Sequence, residues 1–393
     1  MARFGDGIAH GPDLTAAAER AAKQALGALR GRRADVAWVF VSGPDPEQVG
    51  DALERAAAVT GARTSLGAGS PSVAASSSAS TGSAVAVLVG VLPGVKVRSF
   101  HLEVMRVAAG LAVVGLPEPR PEDELALLLA DPWSFPADGF AARVSQLTPG
   151  TPVVGGLVSG AAAAGDSRML VDGRVVQRGA VGALLSGPVA ARIASAPSSL
   201  AIGPPMTVTK VEGDDILGLA GSDAAIALER VLGDLDPGQQ ALASRGLQLG
   251  VAVDEYADAH LEGDYVLRPV IGVDRILGAV SIGEPVETGA TVRFHMRDPE
   301  GASRQLHRAA QGLITDTGFD TVEAVLVLGS DERADDLAGD VKQVAADLSG
   351  PALLAASVAG ELVPMGGRVT LQGWTTTLLA FGSGSAAARG TSR

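Results

Sequence analysis

The polar side chains with the clearest chemical potential are grouped in the second half of the chain, at the ends of short apolar segments. Asp254 and Glu255 follow one segment, Arg268 ends another, and His295 and Arg297 lie in a third. An arginine can bind a carboxylate through two parallel hydrogen bonds, and a nearby acid can bind an amine. These five residues therefore predict a site for a small molecule that carries both groups. Structural ion pairs and turn caps are the alternative interpretation.

The third of these segments has the alternating pattern of a β-strand. Alternation places His295 and Arg297 on one face of the strand, and Phe294 and Met296 on the other. We expect at least two of the three basic residues of this cluster to converge on one cleft with one of its two acids.

Three other apolar segments end in small or polar residues. The first ends at Gly69, the second at Ser159 and Gly160, and the third is followed by Glu361. Where side chains are small, a ligand or another element can approach the backbone closely. We expect these four residues to line a small-molecule cleft between two domains. Close packing of helices on strands is the alternative interpretation.

Several classes of function are disfavoured by composition. The chain has no cysteine, which excludes disulfides, thiolate chemistry and cysteine-ligated metals. Its five histidines lack the spacing of a metal site, and no dinucleotide, phosphate-loop or nucleophile-elbow motif occurs. The net charge of -13 argues against nucleic acid and anionic lipid as partners. We therefore expect a cytoplasmic protein with no metal, no cofactor and no catalytic residues.

The small-residue segments belong to three copies of one pattern, in which an apolar strand is followed by a helix and two further apolar strands. The first strands of the copies cover residues 37–41, 125–129 and 325–328. Continuous apolar runs are typical of strands that are buried on both faces. The pattern predicts an α/β fold of mixed sheets covered by helices, with each first strand buried at the centre of a sheet.

A different region separates the second copy from the third. It begins with a predicted hairpin at Gly213 and Asp214, continues with a helix from about Ser222 to Leu232, and ends in short antiparallel strands. We predict two domains, residues 1–211 and 212–382, and a disordered tail, residues 383–393. Residues 70–83 are rich in serine and predict a flexible loop.

A series of longer motifs runs along nearly the whole chain: "FVSG", "LPGVKVRSFHLE", "DPWSFPADGF", "PVVGGLVSGAAAAGDSRMLVDGRVVQRGAVGALLSG", "IGPPMTVTKVEGDDIL", "GVAVDEY", "GDYVLRPVIGVDR", "VRFHMRD" and "GELVPMGGRVTLQGWT". In these motifs and their order the chain resembles the FIST family, sensory proteins with an N-terminal FIST domain and a FIST C-domain. The resemblance implies a sensor in signal transduction that binds small ligands such as amino acids, without established catalysis. Any output would pass through a separate partner protein.

The chain departs from the family at three loops. It reads "GAGSPS", "VLGSDERADD" and "SAPSSLA" where family members usually carry cysteine-containing motifs. Two further functions therefore stay open beside the ligand sensor. One is a protein-interaction scaffold with a degenerate ligand site, and the other is an enzyme that uses His295 with an acidic neighbour as acid and base.

Overall fold

The computed structural model describes residues 2–108, 110–255, 260, 262–315 and 319–383. The chain divides into two compact units. The larger unit contains residues 1–195, 306–371 and those from 376 onward, and the smaller unit contains residues 196–305 and 372–375.

The described residues in the first half of the chain form three helices and fourteen strands. In chain order these are β1 (Arg3–His10), α1 (Leu14–Gly27), β2 (Val36–Ser42), α2 (Pro46–Thr60), β3 (Thr64–Gly69), β4 (Val73–Ala75), β5 (Ser78–Ser80), β6 (Ala84–Val91), β7 (Lys96–Val107), β8 (Gly110–Val114), β9 (Asp123–Ala130), α3 (Ala137–Leu147), β10 (Val153–Leu157), β11 (Met169–Val171), β12 (Arg174–Val176), β13 (Ala180–Ser186) and β14 (Ala191–Pro197).

The smaller unit follows, and the chain then returns to the larger one. The elements of the smaller unit are β15 (Ser199–Glu212), β16 (Asp215–Leu219), β17 (Ser222–Asp223), α4 (Ala224–Gly233), α5 (Pro237–Ala243), β18 (Leu247–Ala252), β19 (Tyr265–Pro269), β20 (Gly272–Asp274), β21 (Ala279–Ser281) and β22 (Thr291–Arg297). Next along the chain come α6 (Pro299–Thr315), β23 (Thr321–Ser330), α7 (Leu337–Asp347), β24 (Ala352–Val358), β25 (Gly360–Met365), β26 (Arg368–Gln372) and β27 (Thr375–Ser383).

The three predicted repeats are confirmed as β2-α2-β3, β9-α3-β10 and β23-α7-β24. In each repeat the two strands pair in parallel, and the first strand also pairs antiparallel with a later strand, β6, β13 or β27. The first strands are buried at the predicted residues and lie inside their sheets. Each is followed by a helix, as the sequence indicated.

Each repeat also gives a short hairpin to the sheet of another repeat. The hairpin β4-β5 of the first repeat pairs with β24, the hairpin β11-β12 of the second pairs with β3, and the hairpin β25-β26 of the third pairs with β10. The exchange is cyclic and joins all three sheets of the larger unit. Residues 70–83, predicted to be a flexible loop, therefore contain an ordered hairpin, so that prediction is wrong. The hairpin forms because the edge of a distant strand receives it.

One apolar cluster collects side chains from all three sheets of the larger unit, including Trp38, Leu127 and Leu326. A second cluster lies under α1 and α2, and a third lies under α3. The alanine-rich face of α1 lies so close to β1 that a Cβ at Gly5 would come within 2.3 Å of the carbonyl oxygen of Ala25. Glycine at this position lets the helix pack directly on the strand.

The smaller unit contains the sheet β19-β18-β22-β15-β16-β21-β20, with β17 attached to β16. The predicted hairpin is confirmed: β15 and β16 are joined at Gly213, which has a φ of 60°. The predicted helix is α4, which begins two residues later than Ser222 and packs Ala227, Leu228 and Val231 into the core of this unit.

The compact units do not follow the predicted division at residue 212. The third repeat belongs to the larger unit, because β24 and β25 pair with strands of the first and second repeats. The division of the sequence into residues 1–211 and 212–382 stays a prediction. Of the predicted disordered tail, Ser383 ends β27 and the rest lies outside the described residues.

Candidate functional site

A pocket of about 490 Å³ opens in the larger unit where β2, β3 and β10 end. Gly69, Ser159 and Gly160 are among its lining residues, and their role in ligand binding stays a prediction. All of its lining residues belong to the larger unit, whereas the sequence prediction placed these loops at a cleft between domains. Gly160 has a φ of 79°, and a Cβ there would lie 3.3 Å from Pro71, so glycine also serves the packing of this turn.

Arg168 is the basic residue of the pocket, and its side chain is only 8% exposed. One guanidinium nitrogen donates to the carbonyl oxygens of Gly165 and Ser167, at 2.7 and 3.0 Å. The other lies 3.6 Å from a carboxylate oxygen of Glu47, whose side chain is 86% exposed. A buried cation whose carboxylate partner lies in solvent is well suited to receive an anionic ligand.

Helix α2 helps to bury this arginine. A Cβ at Gly50 would lie 3.4 Å from Cδ of Arg168, so the glycine leaves room for the arginine stem against the helix. The helix begins beside the pocket with Pro46, and its N-cap Asp45 accepts a hydrogen bond from the main-chain nitrogen of Glu47 at 2.9 Å. The carboxylate of Asp45 already occupies the N-terminus of α2, which would otherwise attract anions. Arg168 should therefore attract an anionic ligand more strongly than the helix N-terminus does.

Three serines of the pocket wall give their hydroxyl protons to the protein. Ser42 donates to the carbonyl of Pro71 at 2.9 Å, and Ser159 donates to the carbonyl of Ser357 at the same distance. Ser167 donates to the carboxylate of Asp131 at 2.6 Å. Their remaining lone pairs can accept hydrogen bonds, so these hydroxyls favour N–H or O–H groups on a ligand.

Two acids, Asp331 and Glu361, lie behind the pocket wall. Asp331 interacts with the side chain of Ser159, and Glu361 interacts with Asp331. Burial raises the pKa of Asp331, and Glu332 acts in the same direction, although the side chains of Ser159 and Ser357 oppose the shift. Glu361 does not line the pocket. Its side chain is fully buried, neither carboxylate oxygen has a hydrogen-bond partner among the described residues, and burial raises its pKa well above the usual range.

The cyclic exchange of hairpins shows how unusual Glu361 is. It pairs with Gly156 of β10, just as Met169 pairs with Ala68 of β3 and Val73 pairs with Ala356 of β24. Met169 and Val73 are fully buried in the central apolar cluster. Glu361 is therefore an acid at a position that the other two repeats fill with an apolar side chain.

The second predicted cluster lies in the smaller unit, and its histidine is inaccessible. His295 is 0% exposed, and burial, with a smaller contribution from Arg293, lowers its pKa to about 4. Its ring contacts Tyr265 edge to face, with the ring centroids 5.2 Å apart. The predicted alternation is confirmed, since Phe294 and Met296 point into the core of this unit. Because a buried neutral imidazole cannot reach a substrate in solvent, the structure gives no support to acid–base catalysis by His295.

The strand register separates the basic residues of this cluster. Arg268 is opposite Leu249, which is opposite Phe294, so Arg268 lies on the face of the sheet away from His295. It forms an ion pair with Glu284. Arg297 is half-buried opposite Ser199, on the face of His295.

The carboxylate of one acid of the cluster, Glu255, is held by the backbone. The main-chain N–H of Thr291 is shared between the two carboxylate oxygens of Glu255, at 2.9 and 2.8 Å. The carbonyl of Asp254 lies 2.7 Å from a ring nitrogen of His260. The register therefore removes Arg268 from the face of His295, and a shared site of His295 and Arg297 with one of the acids stays a prediction.

Sequence reasoning missed Arg168. It follows an irregular segment, "AAAAGDS", and precedes a three-residue strand, so no local pattern marks it. Arg168 stands out only when the three repeats are compared with one another. The register aligns Arg168 with Ser72 and Gly360 of the other hairpins, so only one of the three equivalent positions has a basic side chain.

Within the described part of the chain, no helix is both long and apolar enough to cross a membrane, and no cluster of three potential metal ligands occurs. Comparison with known sequences identifies relatives of nearly the full length. An uncharacterized protein of Mycobacterium tuberculosis is 32% identical over 382 residues, covering 96% of this chain and 99% of the relative. An uncharacterized protein of Mycobacterium bovis is 31% identical, covering 96% of this chain and 98% of the relative.

Family profiles match most of the chain. The FIST N domain matches residues 35–222, and the FIST C domain matches residues 224–363. Domains of this family are associated with sensory signal transduction and with the binding of small ligands. The resemblance of the motifs, the two profile matches and the full-length relatives agree, and the chain belongs to the FIST family.

Proposed function

We propose that this protein is a cytoplasmic sensor that binds an amino acid or a related small carboxylate in the pocket of the larger unit. The buried guanidinium of Arg168 carries the proposal, because its carboxylate partner, Glu47, lies almost entirely in solvent. A ligand carboxylate can displace the exposed Glu47 side chain and form two parallel hydrogen bonds with the arginine.

The serines of the pocket wall support a ligand that also carries hydrogen-bond donors. Hydroxyl oxygens of Ser42, Ser159 and Ser167 have given their protons to the protein and can only accept further hydrogen bonds. A ligand with an anion at one end and N–H or O–H groups near it satisfies both sides of the pocket. Amino acids and hydroxy acids have this arrangement. A signal would reach a separate partner protein through the ligand-bound state.

Calorimetric titration of the whole chain with amino acids, hydroxy acids and dicarboxylates tests this proposal. Each ligand is paired with its neutral amide, which keeps the size and the donors but removes the anion. Binding of a carboxylate, accompanied by a higher melting temperature, is the expected result, because a ligand that binds only the folded state stabilises it. If the amides bind as well as the acids, or if no acid binds, the ligand site is degenerate and the scaffold function replaces the sensor.

Glu47→Gln is expected to increase the affinity of the pocket for a carboxylate by about two- to fivefold, because it removes the anion that competes for Arg168. The side chain is exposed, so the fold should be unaffected apart from a small change at the start of α2. Titration of the variant and the wild type with the same carboxylate measures the effect. Glu54→Gln, on the same helix, is the matched control and should leave the affinity unchanged.

A further inference from the structure

A second pocket of about 510 Å³ lies in the larger unit, beside the end of β9. Trp133 and Ser134, which follow β9, form one wall, and Arg178 and Gly179, which precede β13, form another. These walls are fixed to each other, because Ser134 accepts a hydrogen bond from the main-chain nitrogen of Gly179 at 2.8 Å. The pocket is therefore a built feature of the fold.

The rest of this pocket comes from β7, where the edge of the strand is open. Strand β13 pairs with β7 only from Lys96 to Leu102, and β8 pairs on the other side from Glu103 to Val107. From Glu103 onward, no described strand covers β7 on the β13 side. Side chains from both faces of β7 therefore reach the pocket, including His101, Glu103, Val104 and Arg106.

The lining combines an exposed aromatic ring with two arginines. Trp133 is 54% exposed, which is unusual for so large an apolar side chain outside a binding surface. The guanidinium groups of Arg106 and Arg178 make no hydrogen bond or ion pair with the described residues. One acid, Glu103, lies among them, and its carboxylate is 3.8 Å from Nδ1 of His101. The pocket is thus positively charged on a chain whose net charge is -13.

We propose that this pocket is a second binding site, which takes a planar aromatic ring that carries an anionic group. The ring stacks on the indole of Trp133, and the anion pairs with Arg178 or Arg106. His101 keeps Arg178 in place, because its Nε2 donates to the carbonyl of Arg178 at 2.9 Å. The volume fits one such molecule. The anion is either a carboxylate or a phosphate, since a guanidinium accepts both.

Fluorescence of Trp133 reports on this pocket directly. Trp38 is fully buried and Trp374 is half-buried, so an added ligand that quenches exposed indole acts on Trp133. The probes are benzoate, phenyl phosphate and adenosine monophosphate, with acetate and benzyl alcohol as controls that lack the ring or the anion. Quenching by at least one of the three ring anions, and by neither control, is expected. The responding probes distinguish a carboxylate ligand from a phosphate ligand.

Variants locate the site independently of fluorescence. By calorimetry, Trp133→Ala and Arg178→Met should each weaken binding of the best probe by about 5- to 50-fold. Met105→Ala changes an exposed side chain of the same strand outside the lining and should have no effect. The proposal is overturned if no ring anion binds, if acetate binds equally well, or if both pocket variants keep the wild-type affinity. None of these outcomes bears on the first pocket, which contains none of these residues.

Discussion

Arg168→Met is expected to lower the affinity of the first pocket for its carboxylate ligand by about 10- to 100-fold. A hydrogen bond to a charged group contributes about 1.5–3 kcal/mol, and the variant removes the cation while keeping a stem of similar shape. Part of the stem remains packed against Gly50 of α2, so the helix should keep its place. Calorimetric titration with the carboxylate and with its neutral amide measures the effect, and only the carboxylate should lose affinity.

Arg168→Lys is the matched control for charge. It keeps a cation but cannot form two parallel hydrogen bonds with a carboxylate, so an intermediate affinity is expected. The structural role of Arg168 needs a separate readout, because its guanidinium also holds the carbonyls of Gly165 and Ser167. Equal losses for the carboxylate and the amide would show that the variant disturbs the pocket wall and that the arginine does not recognise the anion.

Below pH 4.5, where the acid is protonated in both states, Glu361→Met is expected to stabilise the protein by about 1–3 kcal/mol, which is the cost of a buried polar group without a partner, and by more at neutral pH. Methionine is a suitable replacement because Met169 occupies the equivalent position in the hairpin of another repeat, where it is buried in the central apolar cluster. Denaturant unfolding of the whole chain measures the gain. The reverse exchange, Met169→Glu, should destabilise the protein by at least as much.

The stability gained by Glu361→Met should increase as the pH rises above 4.5, because the wild type loses stability there and the variant has no acid at this position. Burial raises the pKa of Glu361 in the folded state above the unfolded value of 4.5. Between these two values the folded state holds a proton that the unfolded state has released, so stability decreases as the pH rises, by about 1.4 kcal/mol per pH unit for this group. Below pH 4.5 the acid is protonated in both states, and this contribution is constant.

Glu361→Gln separates ionisation from polarity. It keeps a buried polar group but cannot ionise, so it should weaken the pH dependence while gaining less stability than methionine. Asp331 contributes in the same direction, since its pKa is also raised, and a residual slope is expected in both variants. A stability profile that has the same slope in the wild type and in Glu361→Gln would contradict a neutral Glu361 in the folded protein.

The repeated strands and helices could be predicted because each has a long, self-sufficient pattern. Continuous apolar runs identified the strands that begin at Val36 and Asp123. The exchanged hairpins could not be predicted. Their strands are often three residues long, as in "VAA" and "MLV", and their partners are distant in sequence. Such short segments become strands only because the edge of another sheet receives them.

The candidate sites could also be predicted only where local sequence decides the structure. Gly160 indicated a place where the backbone is closely approached, since a turn that needs glycine can be recognised locally. The pattern could not show that Glu361 points into the central apolar cluster, because that depends on its pairing with Gly156. Strand alternation placed His295 on the correct face of β22 but gave no information on what covers that face. Only the register of the neighbouring strands shows that Arg268 points away.

The cyclic exchange of hairpins has a consequence for the order in which the chain can fold during synthesis. One edge of β3 stays open until β11 emerges, and one edge of β10 stays open until β25 emerges, which is made after the strands of the smaller unit. The hairpin β4-β5 has no sheet edge to join until β24 is complete. Exposed strand edges recruit other chains, so nascent molecules pass through a long period of vulnerability to aggregation. The second repeat covers the edge of β3, but the edge of β10 and the hairpin β4-β5 both wait for the third repeat, so the larger unit can complete its sheets only when the last repeat has been synthesised.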